Sequence, residues 1–177
     1  KKFLFLKKKA HKVTRAHRKL YNRIMNYDEK ETLPISRNEF AELEIFKNIQ
    51  FEKLAGFLLP CKTKEVEQGT TLISPDNPNI DLVIVLRGSL EVKLESEGGT
   101  FTSTIEQGHC AGEMSIFDSI PPSATVSAKE NSKVLLIPSD IARAMISASH
   151  ELSLNFLLIL SQRIRNNNKI VCEEQYH

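Results

Sequence analysis

The sequence predicts an α+β fold: a β-roll of the double-stranded β-helix or jelly-roll kind, flanked by N-terminal helices and a C-terminal helix pair. Three observations predict it. Between residues 61 and 137, short apolar or alternating runs recur with a turn signal about every eight to twelve residues, the pattern of a barrel or sandwich. Before them, residues 8–59 carry helix signals, and after them residues 139–171 do so again. Hydrophobic residues make up 41% of the 177, enough for one sizeable core and a single domain with flanking helices.

The elements follow in order. Residues 8–30 contain no Gly or Pro and are rich in helix formers, so they read as a helix that Leu33-Pro34 ends. Ser36, with Glu39 three residues later, has the reciprocal pattern of a capping box and starts the next helix. Phe40, Leu43, Ile45, Phe46 and Ile49 supply its apolar face, and Phe51–Leu59 forms another helix stopped by Pro60. Residues 61–67 alternate loosely, Gln68–Thr71 turn, and Thr71–Ile73 make a short strand before the loop Ser74–Asn79. Asp81–Leu86 is apolar on both faces and reads as a buried strand. Arg87-Gly88-Ser89 turns the chain into Leu90–Leu94, which alternates with period two. Gly98-Gly99 marks a hairpin, Phe101–Ile105 a strand and Gln107-Gly108 a turn. Thr125–Ala128 and Lys133–Ile137 complete the set. Pro138-Ser139-Asp140 opens a helix with Ser139 as the expected N-cap, and a longer helix spans 150–171.

That last helix places Leu154, Leu157, Ser161, Ile164, Asn168 and Val171 at heptad spacing. The seam fits either a homodimer through the 150–171 helix or packing on the chain's own barrel.

Charge divides the chain. Ten lysines and arginines precede the first acid, Asp28, and the remainder has 14 basic against 22 acidic residues. The basic head, with Phe3–Leu6, could meet nucleic acid or an anionic membrane surface. The reading favoured over it is a solvated helical linker that leans on the acidic body or on an upstream domain. The chain starts at Lys1 with no initiating Met, so a longer parent chain is an expectation. Three segments result: a basic helical segment at 1–35, a folded domain at 36–165, and a helix end or linker at 166–177.

Several function classes find no support. Cys61, Cys110 and Cys172 are odd in number and far apart, with no CxxC or Cys/His cluster, so the expectation is a reducing, cytoplasmic setting without disulfides. His109 and Cys110 have no further ligand at useful spacing, so no metal or haem is expected. No apolar run is long enough to span a bilayer. There is no GxSxG, HExxH or P-loop pattern, so an enzyme is not expected. A transcription factor would need a helix-turn-helix after the long helix, and none follows it within this chain.

The chemistry concentrates at 112–128, GEMSIFDSIPPSATVSA. Gly112 permits a sharp turn into one helical turn at Glu113–Phe117. The first N–H groups of such a turn lack internal partners and suit an anion. Glu113 is an acceptor and suits sugar hydroxyls, and small Ser123 and Ala124 allow close backbone approach. The run Gly108-x-x-x-Gly112-Glu113-Met114-Ser115-Ile116, followed by Ala124-Thr125-Val126-x-Ala128, resembles the phosphate-binding cassette of cyclic nucleotide-binding domains. That family is shared by the protein kinase A regulatory subunit and the catabolite activator protein. Gly69 before a strand and the hairpin Leu86-Arg87-Gly88-Ser89-Leu90-Glu91-Val92 extend the resemblance over roughly residues 40–165.

The resemblance implies that Glu113 holds a ribose hydroxyl and that backbone amides at Gly112 and Ser123-Ala124 hold a cyclic phosphate. Met114, Ser115 and Thr125 complete the ligand-binding set. The family's phosphate-clamping Arg is replaced by Pro122, and no Lys or Arg occurs between 94 and 128. A hydrogen bond to a charged group contributes about 1.5–3 kcal/mol, so the loss weakens binding roughly ten- to a hundredfold. The expected function is a regulatory sensor module of a signal-transduction protein. It would bind cAMP, cGMP or a related phosphate ligand without a resident cofactor, and relay binding through the C-terminal helices to a partner or attached output domain. The alternative is a degenerate fold without a nucleotide ligand, acting as a dimerisation or docking scaffold.

Overall fold

A computed structural model describes residues 22, 24, 32–76, 81–96, 99–118 and 120–174, the last eight by backbone alone. The helix expected over 8–30 lies outside the described residues except at Asn22 and Ile24, which are helical, and Ile24 is buried in the core.

The first full helix, α1 (Arg37–Glu42), begins with the expected capping box. Ser36 Oγ accepts from the Glu39 amide, and the Glu39 carboxylate accepts from the Ser36 N–H. The same contacts hold the Glu39 carboxyl below the usual range, led by the Ser36 backbone donor. The helix does not continue to Ile49. It stops at Leu43 and gives way to a 3₁₀ turn at Glu44–Phe46, with Asn48 at φ 63°. The bend turns Leu43, Ile45, Phe46 and Ile49 all inward, which one straight helix face cannot do. Helix α2 (Phe51–Leu58) follows.

Among the described residues, eight strands then form two four-stranded antiparallel sheets: β1 (Lys62–Val66), β2 (Thr71–Ile73), β3 (Leu82–Arg87), β4 (Leu90–Ser96), β5 (Gly99–Ile105), β6 (Cys110–Ala111), β7 (Thr125–Ala128) and β8 (Ser132–Ile137). One sheet has the order β1-β8-β3-β6 and the other β2-β7-β4-β5. Helix α3 (Glu113–Asp118) lies between β6 and β7, and so joins the two sheets. Helices α4 (Ser139–Ala148) and α5 (His150–Glu174) close the chain.

Strand β3 shows why Asp81–Leu86 is apolar on both faces. Val83 and Val85 point into the roll with Val66, Ile73, Leu90, Val126 and Val134. Leu82, Ile84 and Leu86 point the other way, into a larger cluster with Phe40, Phe46, Leu58, Ile116 and Phe156. One sheet is therefore covered on both sides, by the second sheet and by helices.

Strand β4 departs from its alternating pattern. It pairs with β7 only over Leu90–Lys93 but with β5 as far as Ser96. The outer half of that hairpin projects beyond the roll, leaving Leu94 and Phe101 exposed.

Helix α4 begins one residue away from expectation: Pro138, not Ser139, is its N-cap and makes no side-chain cap bond. Ser149 then caps α5, accepting from the Leu152 N–H at 3.1 Å, and the two helix axes meet at 114°. No helix among the described residues is long and apolar enough alone to cross a membrane.

Candidate functional site

The segment from Cys110 to Thr125 is built by a two-residue strand, a turn and a short helix. Gly112 makes the turn at φ +85°, and a Cβ there would sit 2.8 Å from the backbone oxygen of Asp81. Both the dihedral and the space demand glycine. The chain then enters α3 with Glu113 as its first residue. Ile120 N–H donates to Asp118 Oδ1 at 2.9 Å just past the helix end.

The structure distributes the expected site residues unevenly. Gly112, Pro122, Ala124 and Thr125 are half-buried, Ser123 and Met114 are exposed, and Ser115 is buried. Thr125 begins β7 opposite Lys93 of β4. Glu113 is only 2% exposed. A cleft of about 200 Å³ on another part of the surface is lined by Asn38, Glu42, Leu86 and Gln107 and contains none of these residues.

A buried carboxylate needs a partner. Glu113 has one in Arg163 of α5, whose Nη1 donates to Glu113 Oε1. Its Nη2 donates to the carbonyl oxygen of Cys110 in β6. One guanidinium thus bridges the strand before the turn and the helix after it. Burial by itself lowers the pKa of Arg163, but the charge of Glu113 and the bonds around it outweigh that and raise it. The neighbouring Cys110 thiol is pushed up to about 12, first by burial and then by the Glu113 charge.

Sequence reasoning singled out Glu113 and overlooked its partner Arg163. The signal was present in α5. Leu152, Phe156 and Ile159 are the buried face of that helix, and Arg163 is the next residue on the same stripe, after steps of four, three and four. A charge at the next inward position of a buried stripe calls for an opposite charge inside the domain.

Helix α5 meets the cassette a second time through Phe117 and Phe156, whose rings pack edge to face with centroids 5.2 Å apart. Nearer its start, α5 is tied to the 3₁₀ turn. Asn155 Nδ2 donates to the carbonyls of Ile45 and Lys47, both at 2.9 Å, and Lys53 pairs with Glu151 at 3.2 Å. The opposite side of the helix is apolar and open: Leu154, Leu157, Leu158 and Ile164 are exposed, the last at 60%. Of the two packings expected for this helix, its inner stripe packs on this chain's own domain, against the 3₁₀ turn, α3 and α4, while the seam residues Leu154, Leu157 and Ile164 point away from it.

The only basic residue of the family hairpin, Arg87, is turned elsewhere and pairs with Glu65 at 3.0 Å. Among the described residues, no three His, Cys, Asp or Glu side chains converge as a metal site.

Comparison with known proteins agrees with this architecture. Residues 63–149 match the family model described as cyclic nucleotide-binding domain. The chain is 22% identical over 130 residues to a CRP-like cAMP-activated global transcriptional regulator of Mycobacterium tuberculosis, covering 72% of this chain and 58% of that protein. It thus spans little more than half the length of that relative. Among solved structures it resembles a cyclic nucleotide-binding domain from Methylobacillus flagellatus (TM-score 0.68, 19% identity, 77% of this chain and 83% of that one). It also resembles the regulatory subunit of a cAMP-independent protein kinase A from Trypanosoma brucei (TM-score 0.62, 16% identity, 82% and 50%). The roll, the helix between β6 and β7, and the family match over residues 63–149 together identify a domain of the cyclic nucleotide-binding family.

Proposed function

We propose that this chain is a regulatory sensor module that takes a cyclic nucleotide, cAMP or cGMP, or a related phosphate ligand at the β6–α3–β7 segment. It passes the event through α4 and α5 to a partner or attached output domain. The observation that carries the reading is the position of Glu113, which begins the cassette helix and touches the C-terminal helix. A ligand that takes this carboxylate acts directly on α5, and differential contact between two arrangements is what a ligand needs to shift them. Glu113 would accept from sugar hydroxyls, backbone amides at Gly112 and Ser123-Ala124 would face the phosphate, and Met114, Ser115, Pro122 and Thr125 would line the remainder. The module performs no chemistry of its own and needs no resident cofactor. A cytoplasmic setting suits its free, buried Cys61 and Cys110 thiols.

Pro122 supplies neither a cation nor an N–H to a phosphate. The expected affinity is accordingly about ten- to a hundredfold below that of a clamped site. Calorimetric titration with cAMP, cGMP and cyclic dinucleotides tests the reading. Heat in the micromolar to millimolar range is expected, with tighter binding by Pro122→Arg. No heat and no thermal shift at millimolar ligand, in the unaltered chain and in its Pro122 and Arg163 variants alike, would refute it.

A second reading, a degenerate domain serving as a dimerisation or docking scaffold, is favoured by the burial of Glu113 and by the exposed stripe Leu154, Leu157 and Ile164. The T. brucei relative, named as part of a cAMP-independent kinase, is similar in fold. This reading expects a homodimer through residues 150–171, and a monomeric mass at high concentration in sedimentation would count against it.

A further inference from the structure

We propose that Arg163 is an internal competitor for the ligand position: its guanidinium occupies the Glu113 carboxylate, so a nucleotide sugar reaches that acid only when Arg163 leaves and α5 beyond Ile159 is let go. The inference rests on the nucleotide reading of the cassette given above.

Three observations carry it. First, Glu113 is 2% exposed, so a hydroxyl arriving from solvent has no route to it in this arrangement. Second, the group already bonded to Glu113 is a donor, as a sugar hydroxyl is. The Arg163 side chain remains 35% exposed, so solvent can take it back. Third, among the described side chains of α5 beyond the half-buried Leu160, Arg163 alone is bonded to the body of the domain. Ile159 is the last described α5 side chain in the core cluster. Among the described residues after it, Ser161, Gln162, Ile164, Arg165 and Asn166 are exposed, and only Arg163 makes hydrogen bonds to the body of the domain. The start of the helix is held independently by the Ser149 cap and Asn155. Loss of the Glu113 contact therefore frees α5 over residues 161–166 and leaves its root in place.

A site that is competent only when Arg163 is away binds with an affinity reduced by the fraction of time it is away. Weakening the competitor must raise affinity. Arg163→Gln removes the charge but leaves a buried carboxylate unpaired, which can prevent folding. Arg163→Lys keeps the charge and loses the two-pronged fork, and carries the same readout if the first variant does not fold.

The test uses the 177-residue chain, cAMP as the probe in calorimetry, and hydrogen exchange along α5. The expected result is cAMP binding about tenfold or more tighter in Arg163→Gln, and severalfold tighter in Arg163→Lys, than in the unaltered chain. Amides after Ile159 should exchange faster in both variants without ligand, and faster in the unaltered chain once cAMP is added. Binding seen only in the variants supports the proposal equally. Affinity unchanged or weaker in the variants, with the unaltered chain still binding, overturns it, because Arg163 then orients Glu113 instead of competing for it; the nucleotide reading survives that result. No binding by any of the three chains at millimolar cAMP overturns both.

Discussion

Replacing Gly112 by alanine should destabilise the domain more than the same change at Gly69. Both glycines have nearly the same left-handed backbone, φ +85° and +82°, so both substitutions carry the conformational penalty of about 1–2 kcal/mol for a residue with a Cβ. They differ in what the new methyl meets. At Gly69 nothing lies within 4 Å, whereas at Gly112 the Asp81 carbonyl oxygen would be 2.8 Å away and Ile73 Cδ1 3.1 Å away. The isoleucine methyl can rotate aside, but the carbonyl is backbone leading directly into β3, and moving it disturbs the central strand. Crowding of this kind adds about 1–3 kcal/mol. Gly69→Ala should therefore cost about 1–2 kcal/mol and Gly112→Ala about 2–5 kcal/mol. In a chain of this size that separates their melting temperatures by at least about 2–4 °C. Urea unfolding of both variants, with slopes checked for equality, gives the comparison. Equal midpoints for the two would refute the claim that close approach to Asp81, and not φ alone, fixes glycine at the start of the cassette.

Two further outcomes follow from the titratable groups. Glu151 is held down to about 2, from an ordinary 4.5, by its own backbone N–H first, then the Ser149 hydroxyl and Lys53. Because the folded value is the lower, its contribution is present above about pH 4.5 and is lost as pH falls towards 2. Thermal unfolding of Glu151→Gln should lie below the unaltered chain at pH 7 and converge with it near pH 2; since the group is exposed, the gap should shrink in high salt. Burial pushes both Cys61 and Cys110 up to about 12, so neither thiol should react with a thiol reagent at pH 8 until urea unfolds the domain. Rapid labelling of either in the native protein, located by peptide mass, would contradict that.

How far the sequence carries the structure depends on whether an element declares itself locally. The capping box joins Ser36 and Glu39, only three positions apart, and is readable from sequence for that reason. The two-faced apolar run of β3 pointed correctly to a strand covered on both sides. Strand β6 has two residues, too few for any period, and exists because Val83 and Ile84 pair with Ala111 and Cys110. The turn at Glu44–Phe46 replaced an expected helix because five large apolar residues had to reach one core from closely spaced positions. The overhanging end of β4 kept its alternating sequence without the burial such a pattern implies, since its partner β7 ends earlier. At the candidate site, Glu113 stands in a local motif and could be read. Arg163 lies fifty residues on, and only the packing angle of α5 brings it to that acid.

The two-sidedness of α5 has a thermodynamic consequence. Its inner stripe answers to the cassette through Phe156 and Arg163, and its outer stripe, Leu154, Leu157 and Ile164, is open to whatever grips it. Both stripes run through the Arg163–Ile164 end of one helix, so these two contacts are not settled separately. Any partner that prefers one placement of the helix alters, by some factor, the affinity of whatever occupies Glu113, and the occupant alters the partner's affinity by that same factor. The sensitivity of such a module is then a property of its surroundings as much as of its pocket, and the abundance of the partner tunes the dose at which it responds.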